Sequence, residues 1–179
     1  MYLTMLSLMI AVSATQAQSR KVNYHPCFLL DSVDQRLAFI KQNAARVFTD
    51  SADCKETLLD SITGKYVLTK DFKYLDALAV IRQNPAAKAD GLFTDVITLI
   101  VKDDFIGFAD QLYRSKGRLL PLQNELIGAM NIIVDGRPFK QKYMGLLNVE
   151  IERTKGDNDK YRLAYLEKLK LKINEEKYR

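Results

Sequence analysis

Short segments with apolar residues at helical spacing follow one another along this chain of 179 residues. The first segment carries these apolar residues on one face: Val33, Leu37, Ile40, Ala44 and Val47. Spacings of three and four residues place side chains on one side of an α-helix, so each segment can bury one face against its neighbours. Residues that start or end helices separate the segments, such as Asp71 before the third segment and Asn84–Pro85 after it.

This pattern predicts eight helices joined by short connections. They cover about residues 31–48, 53–67, 71–84, 90–101, 103–116, 121–134, 138–155 and 157 onward. Asp103 or Asp104 can cap the fifth helix, Pro121 suits a first turn, and Asp157 or Asn158 can cap the last helix. Because the connections are short, successive helices should pack antiparallel. The sequence therefore predicts an all-α fold, a single-domain bundle or short stack of about seven to eight antiparallel helices.

Two stretches are also typical of β-structure. Val96–Val101 is rich in β-branched residues, and the Asp135–Gly136 pair is a hairpin signal. The alternative prediction is an α+β domain with a small hairpin near 96–101 and 132–140. We favour the all-α fold because both stretches continue outward with the 3.6-residue period of a helix rather than in alternation.

Three glycines, Gly107, Gly128 and Gly145, fall inside predicted helices. Glycine costs about 1 kcal/mol relative to alanine in a helix interior, so each should have a compensating reason. Close approach of two helices at a crossing is the favoured reason. A backbone that lines a groove or forms a hinge is the alternative.

The N-terminus has the pattern of an export signal. An apolar run extends from Leu3 to about Ala14, and a stretch of mostly small residues ends at Ala17. A secretory apolar region needs about 7–15 residues, whereas a membrane span needs roughly 20. No Lys or Arg precedes the run, so an uncleaved anchor and a core helix are the alternatives. We expect 1–17 to be a signal peptide cleaved near Ala17–Gln18, 18–30 an extended leader, and 31–179 the helical domain of a periplasmic or secreted protein with no membrane span after processing.

Cys27 and Cys54 are the only cysteines. In an exported protein an even pair favours a disulfide. A helix over 31–48 would lie between them as a rod of about 27 Å, whereas bridged Cα atoms lie within about 7 Å. Both flanking segments would have to fold back along the helix to form the bridge, and two unbridged thiols are the alternative.

The sequence lacks motifs for catalysis and for cofactor binding. Its one histidine, His25, offers with Cys27 at most two ligands for a zinc site that needs three or four. Neither a phosphate-binding glycine loop nor a nucleophile motif occurs. The clustered carboxylates are attributed to helix capping or to solvated surface: Asp103–Asp104, Glu150 with Glu152, and Glu175–Glu176. We therefore expect a protein that is not an enzyme and that uses no cofactor and no metal, with a cryptic hydrolase as an alternative hypothesis.

The net charge of +5 belongs to the C-terminal quarter, where residues 136–179 hold twelve Lys and Arg against seven Asp and Glu. Lysines flank the apolar stripe of the last helix, which consists of Tyr165, Leu166, Leu169 and Ile173. Such lysines are usually a solvated face, but with interspersed tyrosines they also suit an acidic protein partner. Export argues against nucleic acid. The candidate partner-binding residues are Arg137, Lys140, Lys160, Tyr161, Lys168 and Lys172.

Together these features predict an exported, non-catalytic helical binding protein. The most specific hypothesis is an inhibitor or immunity-type protein that neutralises a toxic or lytic enzyme by covering it. Small size, export and a polarised charge that can steer an acidic partner motivate this hypothesis. A periplasmic chaperone or carrier of apolar cargo is the alternative, and a carrier should have an apolar cavity of ligand size.

Overall fold

A computed structural model of the chain describes residues 33–45, 55–84, 87, 91–134 and 137–175. In chain order, the elements are α1 (Val33–Gln42), α2 (Lys55–Thr69), α3 (Phe72–Gln83), α4 (Leu92–Arg114), α5 (Leu120–Ala129), β1 (Ile133–Val134), β2 (Arg137–Pro138), α6 (Lys140–Gly156) and α7 (Lys160–Glu175). These elements confirm the all-α fold. The signal peptide and leader predicted for residues 1–30, with Cys27, and also Cys54 lie outside the described residues.

The longest helix, α4, lies at the centre of the molecule, and its first part, residues 92–101, is apolar on nearly every side, as is expected of a helix that is buried all round. It packs against α2, α5, α6 and α7, and its Phe93, Ile97 and Phe108 are fully buried. Helices that follow one another also contact each other, namely α2 with α3, α4 with α5, and α6 with α7. The fold is therefore a stack of helical hairpins around α4. Among the described helices, none combines the length and the apolar character needed to cross a bilayer.

The fourth and fifth predicted helices are joined in α4. At Asp104 the backbone leaves the helical conformation (φ −153°, ψ 86°), and its Oδ1 accepts a hydrogen bond of 2.8 Å from the backbone N–H of Gly107. The predicted capping role of Asp104 is confirmed, but the cap forms a kink inside one helix rather than a loop. A Cβ at Gly107 would collide with the Asp104 carboxylate, whereas no described atom lies within 4 Å of one at Gly128 or Gly145. The prediction of a close helix crossing is therefore wrong at Gly128 and Gly145.

The predicted boundaries of α3 are confirmed, whereas the predicted cap of α7 is wrong. α3 begins after its N-cap Asp71 and ends at Gln83 with Asn84 as its C-cap, so both predicted boundaries are confirmed. The start of α7 is capped by Asp159, whose Oδ1 accepts a hydrogen bond of 3.0 Å from the backbone N–H of Arg162. The cap predicted at Asp157 or Asn158 is therefore wrong by one or two residues, because Asn158 instead takes the left-handed conformation of the turn (φ 59°).

The segment between α5 and α6 departs most from the predicted helices. α5 ends at Ala129, before the predicted end at Val134, and α6 begins at Lys140 rather than at Pro138. Between them, Ile133–Val134 pairs antiparallel with Arg137–Pro138. Two residues per strand do not make an α+β domain. The α+β alternative also predicted β-structure at 96–101, and this prediction is wrong because Val96–Val101 lies within α4.

Candidate protein-interaction surface on the last helical hairpin

The apolar stripe of α7 fixes the last hairpin onto the rest of the fold. Leu166, Leu169 and Ile173 are buried, as their spacing predicts, and α7 packs against α4, α5 and α6. At the start of α6, the Lys140 ammonium group donates to Asn131 Oδ1 (2.9 Å) and to the Ile173 carbonyl (3.5 Å). The start of α6 therefore lies beside the end of α7, and the two helices are antiparallel.

A buried guanidinium group holds three helices together near the other end of this hairpin. The side chain of Arg162 on α7 is 14% exposed and lies 2.5 Å from Glu150 Oε1 of α6. It also donates to Thr154 Oγ1 of α6 (2.8 Å) and to Asp110 Oδ1 of α4 (3.2 Å). Burial lowers the pKa of Arg162, but the hydrogen bonds and charges of Glu150 and Asp110 outweigh burial and raise the pKa overall. Glu150 and Asp110 therefore stabilise the charged form of Arg162.

The prediction that Glu150 belongs to a solvated surface is wrong, because Glu150 is 6% exposed. The spacing of residues in the sequence could have indicated that Glu150 is buried. Glu150 lies seven and three residues after the buried Tyr143 and Leu147, and Arg162 lies four residues before the buried Leu166. Both charges thus occupy core-facing positions of their helices. A carboxylate and a guanidinium at such positions in consecutive helices are expected to pair, since unpaired buried charges are costly.

Three of the predicted partner-binding residues share one side of α7. Tyr161, Lys168 and Lys172 are separated by seven and four residues, a spacing that aligns side chains along a helix. Tyr161 is 84% exposed, Lys168 is exposed and Lys172 is partly exposed. We call these three residues the basic flank of α7. It combines an exposed aromatic ring with two ammonium groups.

Tyr165, which lies on the same side of α7 between Tyr161 and Lys168, connects the basic flank to the core. Its hydroxyl donates a hydrogen bond of 2.9 Å to Gln123 Oε1 of α5, and its ring centroid lies 5.5 Å from that of Tyr113 on α4. Burial raises the pKa of the Tyr165 hydroxyl well above its usual value of 10.0. The middle of the flank is therefore held in place by two other helices.

The structure separates the remaining predicted partner-binding residues from this flank. Lys160 is adjacent in sequence to Tyr161 and therefore lies about 100° around the helix from it. Lys140 binds the end of α7 through hydrogen bonds to Asn131 and Ile173. Arg137 lies in β2, and its side chain is outside what the structure describes.

Three surface grooves contain carboxylates, and two of these, Glu152 and Asp103, belong to the carboxylate clusters of the sequence. One of about 470 Å³ between α3 and α5 contains Glu125, whose Oε1 accepts a hydrogen bond of 2.7 Å from Arg82 Nε. One of about 380 Å³ between α6 and α7 contains Glu152, which pairs with Lys155 at 2.7 Å. One of about 470 Å³ between α2 and α4 contains Asp103. In the described parts of the chain, no three or more His, Cys, Asp or Glu side chains are grouped so that they could hold a metal ion.

Comparisons of the chain with models of known protein families, with curated proteins and with solved structures find no match.

Proposed function

We propose that this protein binds an acidic protein partner through the basic flank of α7. We further propose that it is an exported inhibitor or immunity-type protein that covers a toxic or lytic enzyme. The observation that carries the proposal is the position of Tyr161, which is 84% exposed on the same side of α7 as Lys168 and Lys172.

The chemistry of the flank suits a protein interface. Tyrosine is enriched in interfaces and among the residues that contribute most binding energy, because its ring provides contact area and its hydroxyl can hydrogen bond. Lysines at the edge of an interface steer an oppositely charged partner and set the salt dependence of association. Glu175, one turn after Lys172, limits the positive surface to the turns that contain Lys168 and Lys172.

The support beneath the flank lowers the cost of binding. Arg162 is paired with Glu150 and Asp110, and Tyr165 is bound to Gln123. Since a surface that is already ordered loses less conformational freedom on association, this arrangement favours affinity. The apolar groove between α2 and α4 supports the first alternative, a carrier of apolar cargo. No observation supports the second alternative, a cryptic hydrolase, which stays a hypothesis.

The experiment is a capture of the partner followed by reconstitution. The protein is immobilised in extracts of its host, and a protein that binds stoichiometrically is identified, purified and assayed against the wild type. The double variant K168E/K172E should lower the affinity for that protein at least about tenfold, and added salt should weaken the wild-type complex. The control K65E/K142E makes the same change of net charge on α2 and α6 and should leave the affinity within about twofold.

Equal losses in both double variants would show that net charge matters but that the basic flank is not the binding surface. A captured protein without excess acidic charge, bound independently of salt, would contradict the proposed partner chemistry. Loss of an enzymatic activity of the captured protein on binding would support the inhibitor assignment, and unchanged activity would overturn it.

A further inference from the structure

A second apolar side chain lies in line with the basic flank of α7. Leu171 is 55% exposed, and it lies about 15 Å along the helix from Tyr161 at 1.5 Å per residue. Ala164 and Lys168 lie between them and are also exposed. Because the successive spacings are three, four and three residues, the four side chains share one side of α7. We call these four residues, Tyr161, Ala164, Lys168 and Leu171, the outer stripe of α7.

The outer stripe faces away from the core. The inner side of α7 consists of the buried Leu166, Leu169 and Ile173. At 100° per residue, the mean direction of the outer stripe lies about 150° from that of these three residues. α7 therefore has a buried apolar face that fixes it to the fold and, on its opposite side, a narrower exposed stripe.

The spacing of the outer stripe matches the seam of a two-helix coiled coil. In such a seam the a and d residues alternate at intervals of three and four, and each inserts between side chains of the facing helix. Tyr161 and Lys168 then occupy a positions, and Ala164 and Leu171 occupy d positions. The small side chain of Ala164 lets a facing helix approach, and a single lysine at an a position is a known determinant of register and partner choice.

The charge of α7 indicates which kind of helix fits. α7 carries five basic and two acidic side chains, and of the basic ones Arg162 is paired within the fold. A second copy of this chain would bring the same positive excess against Lys168, whereas carboxylates on a facing helix would pair with Lys168 and Lys172. A membrane surface fits less well, because an interfacial helix inserts a broad apolar face and that of α7 is buried in the core.

We propose that the acidic partner presents an amphipathic α-helix that lies lengthwise along the outer stripe of α7. Its apolar residues pack against Tyr161 and Leu171 across Ala164, and its Asp or Glu side chains pair with Lys168 and Lys172. This inference rests on the proposed function and adds the structural form in which the partner meets α7.

The test is a titration of the ¹⁵N-labelled full chain with a synthetic peptide, followed by the backbone amide signals. The acidic peptide has three heptads with leucine at a and d and glutamate at e and g, and a basic twin has lysine in place of glutamate. The acidic peptide should give saturable shifts centred on residues 161–171 and should bind at least about tenfold more tightly than the basic twin. No saturable shifts in this segment, or equal affinity for the two peptides, would overturn the proposal.

Two variants separate the apolar contact from the charge. Leu171→Ala should lower the affinity for the acidic peptide at least about fivefold, because it removes apolar contact area. Leu99→Ala is the matched control, since Leu99 is a leucine of similar exposure on α4, 49% against 55%, and it should leave the affinity within about twofold. K168E/K172E should abolish the preference for the acidic peptide. Equal losses in the two leucine variants, or an unchanged preference in K168E/K172E, would overturn the proposal.

Other occupants of the outer stripe give different results. A doubling of the mass of the free chain in sedimentation equilibrium that Leu171→Ala abolishes would assign the stripe to a second copy. Binding to phosphatidylglycerol vesicles that Leu171→Ala weakens as much as it weakens peptide binding would assign it to a membrane surface. Either result would overturn the partner helix.

Failure of this inference differs from failure of the proposed function. If the acidic peptide does not bind but K168E/K172E still weakens binding of the captured protein, the acidic partner is supported and its helix is overturned. If the peptide binds as expected but the captured protein lacks excess acidic charge, the helix-binding stripe is supported and the proposed partner is overturned.

Discussion

Among single residues, charged side chains inside the helices are explained by partners that are distant in sequence. Asp76 lies in the middle of the apolar segment of α3 and is 8% exposed. It forms an ion pair with Lys41 of α1 and another of 2.8 Å with Arg118, which precedes α5. Asp76 thus connects α1, α3 and the start of α5. The sequence predicts a helix here but shows no sign of these two partners.

The first prediction concerns the pH dependence of stability at Asp76. Burial raises the pKa of its carboxyl group, but hydrogen bonds and charges from Lys41 and Arg118 outweigh burial and lower the pKa below 3.8. The unfolded chain therefore takes up the proton at a higher pH than the folded protein does. The stabilisation is complete above about pH 4 and is lost as the pH falls through the folded-state pKa.

Chemical unfolding of the wild type and of Asp76→Asn at several pH values checks this prediction. The variant should have a free energy of unfolding lower by about 2 kcal/mol at pH 7, because two charge-assisted hydrogen bonds are weakened. Below pH 4 the difference should shrink. A difference that stays constant down to pH 2 would contradict the assigned ion pairs.

The second prediction compares two helix-interior glycines. Gly128→Ala should raise the free energy of unfolding by up to about 1 kcal/mol, because alanine favours the helix and its Cβ meets open space. Gly107→Ala should lack this gain, since its Cβ displaces the Asp104 carboxylate from the backbone N–H that it caps, at a cost of about 1 kcal/mol. Thermal unfolding measures both variants. Equal stabilisation in the two would show that the cap at Asp104 contributes nothing.

Among the helices, some boundaries were predictable from a capping residue, although the start of α7 was not, because Asp159 caps it rather than Asp157 or Asn158. Asp71, Asn84 and Asp104 are such residues, and each marks a boundary or a kink in the structure.

The extent of α5 was not predictable in this way. Ile132–Val134 continues the apolar spacing of α5, so the helical period predicts that the helix extends to Val134. In the structure Val134 instead pairs with Arg137, and the helical period alone does not show which of the two forms.

The third prediction tests the hairpin of α6 and α7. Arg162→Met should lower the free energy of unfolding by about 3 kcal/mol, because it leaves the charge of Glu150 buried with less compensation. Lys155→Met is the matched control, since it removes an exposed pair with Glu152 and should lower the free energy of unfolding far less than Arg162→Met does. Chemical unfolding measures both, and similar costs would contradict a stabilising role for the Arg162 cluster.

For the whole molecule, the sequence was sufficient for the all-α class and for the central position of α4, because both follow from which faces are apolar. It was not sufficient for the contacts that hold the stack together. The bond between Arg162 and Asp110 joins residues 52 positions apart, and no local pattern identifies such a pair. For the same reason, only three of the six predicted binding residues lie together on the basic flank of α7, whereas Lys140 binds within the fold.

The measurement that tests the basic flank most directly is photo-crosslinking in an extract of the host. Tyr161→benzoylphenylalanine places a reactive group on the flank, and Leu68→benzoylphenylalanine places one on α2 at a similar exposure, 82% against 84%. The account predicts a stoichiometric crosslink to one acidic protein from position 161, absent from position 68 and lost when Lys168→Glu and Lys172→Glu are added. A crosslink from position 68 alone, or one from position 161 that survives both charge reversals, would contradict it.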